Sequence, residues 1–223
     1  MFKRYAVYFT PEGTLAEVGA AWLGWNVVTG KLMAHPAIKG MDVQAITDRP
    51  RKYGLHGTIK PPFYLAHGRS TADLLDALQD LCAEVAPVTL DGLQIRQLGK
   101  FFALTPIGDP SALAVVAAKV VKTLDHFRAP PSEEELERRR KSHLSASQEE
   151  NLLTWGYPYV MEDFRFHITL TGRIKKDADL VETALQEHFN AHLPNPFHVN
   201  SLTLTGQDED GMFHEIRRFG LGT

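Results

Sequence analysis

Seven short runs of this chain alternate between apolar and polar residues, and between them lie stretches in which apolar residues return every three or four positions. Alternation of period two predicts a strand with one buried face, and the longer period predicts a helix with one apolar stripe. Residues 3–10, Lys-Arg-Tyr-Ala-Val-Tyr-Phe-Thr, are rich in aromatic and β-branched types and predict a first strand, stopped by Pro11 and Gly13. Leu15, Val18, Ala21 and Trp22 predict a helix from a Thr14 cap to Trp22. Residues 26–50 have no clear period and contain Gly30, Pro36 and Gly40, which predicts loop with short helical turns. A loop of that length in a compact domain either serves a function or conceals an element.

A strand over 53–60 is expected to end at Pro61-Pro62, where the missing N–H groups require a break, a bulge or a sheet edge. Leu74, Leu75, Leu78, Leu81, Cys82 and Val85 mark a helix over 71–85, and residues 88–97 and 100–107 predict two strands meeting near Leu98-Gly99. A helix over 110–127 follows, with Leu113, Val116, Ala117, Val120, Val121 and Leu124 inward. After Pro130-Pro131, Ser132 and Glu135 stand at capping-box spacing. Glu134, Glu135 and Glu137 precede Arg138, Arg139 and Lys141 by four, the order that favours ion pairs along a solvated helix face. The sharper reading of the same run is a basic lid, residues 138–141, over an anionic substrate. Trp155-Gly156-Tyr157-Pro158-Tyr159 leads into an alternating run over 164–171. A helix over 177–189 and strands over 197–205 and 212–219, joined at Asp208-Glu209-Asp210-Gly211, close the chain.

Motif strand, helix and two further strands thus occur twice. The expectation is an α+β protein, one bilobal domain over 1–223, with two pseudo-symmetric lobes of antiparallel sheet, helices packed outside and a central cleft. Lobe 1 would be mainly 40–110 and lobe 2 mainly 155–223, with strand 3–10 packed in the sheets and a helical insertion at about 131–154.

The runs over 53–60 and 164–171 share a further feature. Leu55-His56-Gly57-Thr58-Ile59-Lys60 and Phe166-His167-Ile168-Thr169-Leu170-Thr171 each hold His-x-Thr, and side chains two apart on a strand share a face. His56 and Thr58 would project together with Lys60, and His167 and Thr169 with Arg165, Thr171 and, if the strand passes Gly172, Arg173. A single His-x-Thr in a strand is more often a bystander than a catalyst. Two copies on matching strands, each with cations on the polar face, weigh the other way.

Composition narrows the choices. Twenty-four Lys plus Arg against 27 Asp plus Glu leave a net charge of −3, so no broad, charge-driven nucleic-acid surface is expected and a phosphate site must be local. The one cysteine, Cys82, rules out an intrachain disulfide and suits a reducing compartment. The start lacks the apolar segment of a signal peptide and no run is long and apolar enough to span a membrane, so cytoplasmic residence is the default.

His56-Gly57-Thr58-Ile59 and His167-Ile168-Thr169-Leu170 resemble the duplicated His-x-Thr/Ser-hydrophobic motif of the two-histidine phosphoesterase superfamily. Arg4-Tyr5-Ala6-Val7-Tyr8, the approach Tyr53-Gly54-Leu55 and Phe164-Arg165-Phe166 are similar to the branch found beside phosphonate-degradation enzymes. The resemblance implies hydrolysis or formation of a phosphodiester, typically at a cyclic phosphate on a ribose or nucleotide, without metal or cofactor. It makes His56 and His167 the acid/base pair and Thr58 and Thr169 the phosphate-binding hydroxyls. Neutral histidine takes a proton, protonated histidine gives one, and both forms of an imidazole are available near neutral pH. Lys60, Arg165 and Arg173 are substrate-binding candidates from their expected face, and Tyr8 and Tyr53, like Trp155 and Tyr157, are candidates for stacking or closing the pocket. The expected partner is a small phosphorylated molecule, a cyclic phosphate of ribose or nucleotide or an RNA end.

Two other readings stand beside this one. The first is a binding module of the same fold that holds a nucleotide or RNA end without turnover. The second is a metal hydrolase using His188 and His192, four apart on a helix but without the adjacent glutamate of His-Glu-x-x-His. Neither a glycine-rich phosphate loop nor Gly-x-Ser-x-Gly occurs in the chain.

Overall fold

The computed structural model describes residues 2–222. The chain runs β1 (Arg4–Phe9), α1 (Gly13–Leu23), β2 (Trp25–Asn26), β3 (Lys31–Leu32), α2 (Val43–Ile46), α3 (Asp48–Arg51), β4 (Gly57–Phe63) and α4 (Thr71–Ala83). It continues with β5 (Val88–Leu90), β6 (Gly92–Leu98), β7 (Phe101–Ile107), α5 (Ser111–Thr123), α6 (Glu133–Arg140) and α7 (Ala146–Trp155). The last elements are β8 (Ile168–Thr169), α8 (Ala178–Phe189), β9 (Phe197–Val199), β10 (Ser201–Gln207) and β11 (Phe213–Gly220). It is an α+β fold.

Seven strands form one sheet in the order β11-β10-β1-β4-β8-β7-β6, all neighbours antiparallel. β4 and β8, which carry the two motifs, are adjacent at its centre. β4 is joined through β1 to the C-terminal strands, and β8 is joined to β7 and β6. β8 therefore pairs outward with a strand from the other half of the sequence, and β4 reaches the C-terminal strands only through β1.

One face of the sheet is covered by helices. Tyr5, Val7 and Phe9 of β1, Phe102 and Leu104 of β7 and Leu202 and Leu204 of β10 pack with α4, α5 and α8 in one continuous core. α4 shows why these helices form where they do. Ser70 accepts from the Asp73 N–H at 3.1 Å and the Asp73 carboxylate accepts from the Ser70 N–H at 3.1 Å, which starts the helix. Leu74, Leu78 and Leu81 then bury its apolar stripe, each worth about 1.5–3 kcal/mol of transfer. Leu78→Ala at its fully buried middle would cost about 2–5 kcal/mol. Cys82 lies in the same core, and burial pushes its thiol up to about 11, so it is an inert thiol.

The opposite face carries Arg4, Ala6 and Tyr8 from β1, with Ala6, Tyr8 and Phe213 packed together under Tyr53. The motif residues use this face.

Two expectations about the motif strands need correction. β4 runs through Pro61 and Pro62 to Phe63 instead of stopping before them. Its pairing with β1 shifts register twice, Tyr8 facing Thr58, Val7 facing Lys60 and Tyr5 facing Phe63, and the second shift is a bulge at the prolines, one of the outcomes expected there, while β8 pairs only with Gly57. The second motif run, expected over 164–171, contributes only Ile168 and Thr169 to the ladder. β2 and β3 form a small hairpin inside the stretch read as loop, where α2 and α3 supply the short helical turns.

Candidate active site

Gly57 is the hinge of the site. It pairs with Ile168, and in an antiparallel pair this register sets His56 across from Thr169 and Thr58 across from His167. Both histidines stand one residue before their strands. All four motif side chains are half-buried, whereas Leu55, Gly57 and Ile59 and Phe166, Ile168 and Leu170 are buried, so the polar residues share the face away from the helices. Gly57 has no side chain because the Phe166 ring occupies the space a Cβ would take.

Each imidazole is tethered in the same way. His56 Nδ1 donates to the Gly54 carbonyl at 3.0 Å and His167 Nδ1 donates to the Arg165 carbonyl at 2.8 Å, two residues back in both cases. This puts a proton on Nδ1 of both rings and makes Nε2 of each the nitrogen free to gain or lose one. Gly54 reaches the needed turn with φ +68°, and a Cβ there would meet Val27. His56 Nε2 accepts from the Thr58 hydroxyl at 3.2 Å.

The covers differ. Tyr8 lies over His56 with ring centroids 4.0 Å apart, and Tyr53 flanks it at 5.6 Å, whereas His167 has Phe101 at 5.8 Å. Burial beneath the tyrosines lowers the His56 pKa to about 4, and the Gly54 bond only partly offsets this. His167 is near enough that its charge also disfavours charge on His56. The two imidazoles therefore share one local field.

The three expected cations are not brought to this point. Ile59 is the extra residue of a β-bulge, and the strand resumes with Lys60 opposite Val7, on the helix side. Lys60 Nζ donates to the Val121 carbonyl at 3.2 Å and lies 3.6 Å from Asp125, and burial lowers its pKa to about 8 against the pull of that carboxylate. The Arg165 guanidinium donates to the Glu162 and Phe164 carbonyls at 2.8 and 2.7 Å, so this residue serves His167 through its own carbonyl. Arg173 is exposed on irregular chain past Gly172. Thr171 is buried, accepting from the Phe102 N–H at 2.9 Å.

Other residues reach the face unannounced. Arg4 shares it with Ala6 and Tyr8, the latter four positions away on β1. Ala103 pairs with Thr169, which sets Thr105 beside His167, and Ala103 pairs with Arg96 on the next strand. The alternation of Phe101, Ala103 and Thr105 against Phe102, Leu104 and Pro106 was the available signal; strand order was the missing one.

His188 Nε2 lies 3.0 Å from the Val18 carbonyl and its ring packs on Trp22 at 5.2 Å, so it joins α8 to α1 and is not an exposed helix-end residue. Among the described residues no group of three or more His, Cys, Asp or Glu side chains is placed to hold a metal ion, and no helix is long and apolar enough to cross a membrane. Two surface hollows, along residues 33–44 and between residues 9–15 and 192–201, contain neither His56 nor His167.

The family profile described as "Protein of unknown function (DUF1045)" matches residues 58–214, well over half of the chain. The chain belongs to this family. It is also 35% identical, over 93% of its length, to the ribose 1,5-bisphosphate phosphokinase PhnN of Janthinobacterium sp. (strain Marseille), covering 48% of that protein. To the protein of the same name from Laribacter hongkongensis (strain HLHK9) it is 32% identical over 96% of its length, covering 51%. The chain thus spans about half the length of the curated relatives it matches. Among solved structures, E. coli LigT in apo form is similar at TM-score 0.49 and 15% identity over 100% of this chain and 99% of that one. E. coli LigT complexed with 3′-AMP is similar at TM-score 0.47 and 16% identity over 100% of both.

Proposed function

We propose that this protein is a phosphoesterase of the two-histidine type that opens a cyclic phosphodiester on a ribose-like or nucleotide substrate. The observation that carries the reading is the pair of half-buried imidazoles, tethered alike through Nδ1 and set across the Gly57–Ile168 pair from each other's threonine. Such a pair can treat one phosphorus atom from two sides.

His56, held neutral by its cover, is the base. Its Nε2 takes a proton from water as the water oxygen bonds to phosphorus. His167 gives its Nε2 proton to the leaving sugar oxygen as the old P–O bond breaks. One water is consumed, and a phosphate monoester and a free hydroxyl result; the proton on His56 returns to solvent and His167 takes one back. The Thr58 and Thr169 hydroxyls donate to the non-bridging oxygens, where charge builds in the transition state. Nothing in this sequence of steps calls for a metal ion.

The two curated relatives support a ribose phosphate as the substrate class. A kinase acting on ribose 1,5-bisphosphate consumes a compound that opening a cyclic phosphate of ribose 5-phosphate can yield. This chain matches about half of those proteins and has no glycine-rich loop for a nucleoside triphosphate, which favours a separate reaction on a neighbouring compound. A place in phosphonate catabolism rests on the same support.

The test is turnover of a panel of cyclic phosphates, followed by 31P NMR after exhaustive chelation. A monoester should appear with at least one ribose cyclic phosphate. Binding across the panel with no product would favour the non-catalytic module, and turnover that returns only with added metal would favour a metal hydrolase.

A further inference from the structure

β4 gives the first motif a seven-residue strand, whereas β8 is two residues long and the sheet takes hold of the second motif only at Ile168, one residue after His167. The irregular chain that delivers His167 is gripped from another side, by α7 of the insertion. Asp163, four residues before His167, accepts from the Ser147 hydroxyl at 2.7 Å and the Gln148 amide at 3.0 Å, with the Asn151 amide at 3.4 Å. Ser147 and Asn151 are four apart on α7 and Gln148 and Asn151 three apart, so one side of the helix presents all three donors. Asn151 is buried and also donates to the Val160 carbonyl at 3.1 Å. The Ser147 hydroxyl foremost, with the two amides, holds the Asp163 carboxyl below the usual carboxylate range, so it remains an acceptor at neutral pH.

The grip encloses a strained turn. Met161 has φ +53°, a left-handed conformation that a residue with a side chain keeps only where its surroundings dictate it, and the Asp163 N–H closes the turn on the Val160 carbonyl at 3.0 Å. α7 is itself fixed at both ends. Ser145 and Gln148 form a capping box at its start. Near its end the Thr154 carbonyl accepts from Arg128 at 3.1 Å; Arg128 is forked onto Asp125 at 2.8 and 3.1 Å, and Asp125 lies 3.6 Å from Lys60 of β4. The first motif strand and the approach to the second are thus the ends of one chain of polar contacts that runs through the insertion.

We propose that Asp163 is a positioning residue for His167, and that the insertion serves as a bracket which orients the second imidazole where a strand ladder does not. This rests on the reading of the motif face as a phosphoester site. Asp163 acts on the ring through the chain between them and takes no part in the bond changes. The Arg165 guanidinium bonds only carbonyls of its own segment, so the polar attachment of that segment to the rest of the protein falls to Asp163 and the Val160 carbonyl.

The experiment exchanges donor and acceptor at one contact. In Asp163→Asn the new amide nitrogen meets that of Gln148, donor against donor, while its oxygen still serves Ser147. In Asp163→Asn/Gln148→Glu the roles are swapped and the bond returns, and a glutamate at the second position also suits the capping box. On a cyclic phosphate that the wild type hydrolyses, Asp163→Asn should lower kcat about 10-fold or more and change KM by less than about twofold, because misplacing a reacting group costs rate and not ground-state binding. The double variant should recover most of the rate. Histidine-resolved NMR gives the readout that a general loss of packing would not: the His167 ring signals move in Asp163→Asn and return in the double variant, with those of His56 in place throughout. Ser147→Ala removes one donor, keeps a good helix former and should move the same signals to a smaller extent. His167 signals that stay put in Asp163→Asn, His56 and His167 signals that move together, or a double variant that restores neither rate nor signals overturns the proposal. If the wild type hydrolyses no cyclic phosphate, the esterase reading falls, and the His167 signals alone decide whether the bracket orients the ring.

Discussion

The two motifs share their histidine and threonine and the same Nδ1 tether, yet their surroundings differ. His56 sits under Tyr8 and beside Tyr53 at the head of a seven-residue strand, whereas His167 faces Phe101 at the head of a two-residue strand. The tether comes from local chain geometry and so repeats with the motif. The cover comes from β1 and from the turn after α3, which have no counterpart around β8. A duplicated sequence thus yields two imidazoles tethered alike, of which His56 is held neutral by its cover.

The largest break in this comparison is removal of either ring. His56→Asn and His167→Asn are each expected to lower kcat by about 10²–10⁴-fold, with a double variant little worse than either single one, measured on the cyclic phosphate that the wild type prefers. Loss at one histidine alone would dissolve the pair. Thr58→Val and Thr169→Val should each cost about 10-fold or more in kcat with little change in KM, because their hydroxyls act on charge that develops only in the transition state.

The cover is the next target. With His56 as the base, the acid limb of kcat/KM in the wild type should fall near its depressed pKa of about 4. Tyr53→Ala opens the ring to water, removes part of the desolvation and moves that limb upward. An unmoved limb would show that Tyr53 does not set the affinity. The same depressed pKa links stability to pH. The unfolded chain binds a proton on this histidine near 6.5 and the folded chain only near 4, so stability is full above 6.5 and declines as pH falls toward 4, by at most about 3 kcal/mol. Denaturant titrations between these pH values should show the decline in the wild type and a smaller one in His56→Asn.

The smallest effects are expected outside the pair. Arg165→Ala leaves the carbonyl that holds His167 and should change kcat/KM by less than about threefold, because the exposed guanidinium bonds only carbonyls of its own segment. Arg173→Ala should do as little.

What the residue pattern revealed and what it hid can be argued from the same strands. Alternation marked β1, β4, β6, β7, β10 and β11, and helical spacing marked α1, α4, α5 and α8, because each has one face against the core. Two-residue ladders such as β2–β3 have no period to read. The position of Lys60 was hidden for a different reason. A bulge at Ile59 arises from pairing with β1, and one extra residue turns every later side chain to the other face, so a lysine expected beside His56 ends against Val121 and Asp125. The adjacency of β4 and β8 was likewise invisible, since strand order is not written in either motif. Arg4 and Thr105 reach the motif face only through that order.

The account rests on two imidazoles meeting one anion. A histidine-resolved NMR titration, run with and without inorganic phosphate, tests this most directly. It should show His56 as the Nδ1–H tautomer, neutral down to about pH 4 in the free protein, and phosphate should raise its pKa while perturbing the His167 ring at the same phosphate concentration. A His56 that titrates near 6.5 when free, or phosphate that perturbs one ring and leaves the other unchanged, would contradict it.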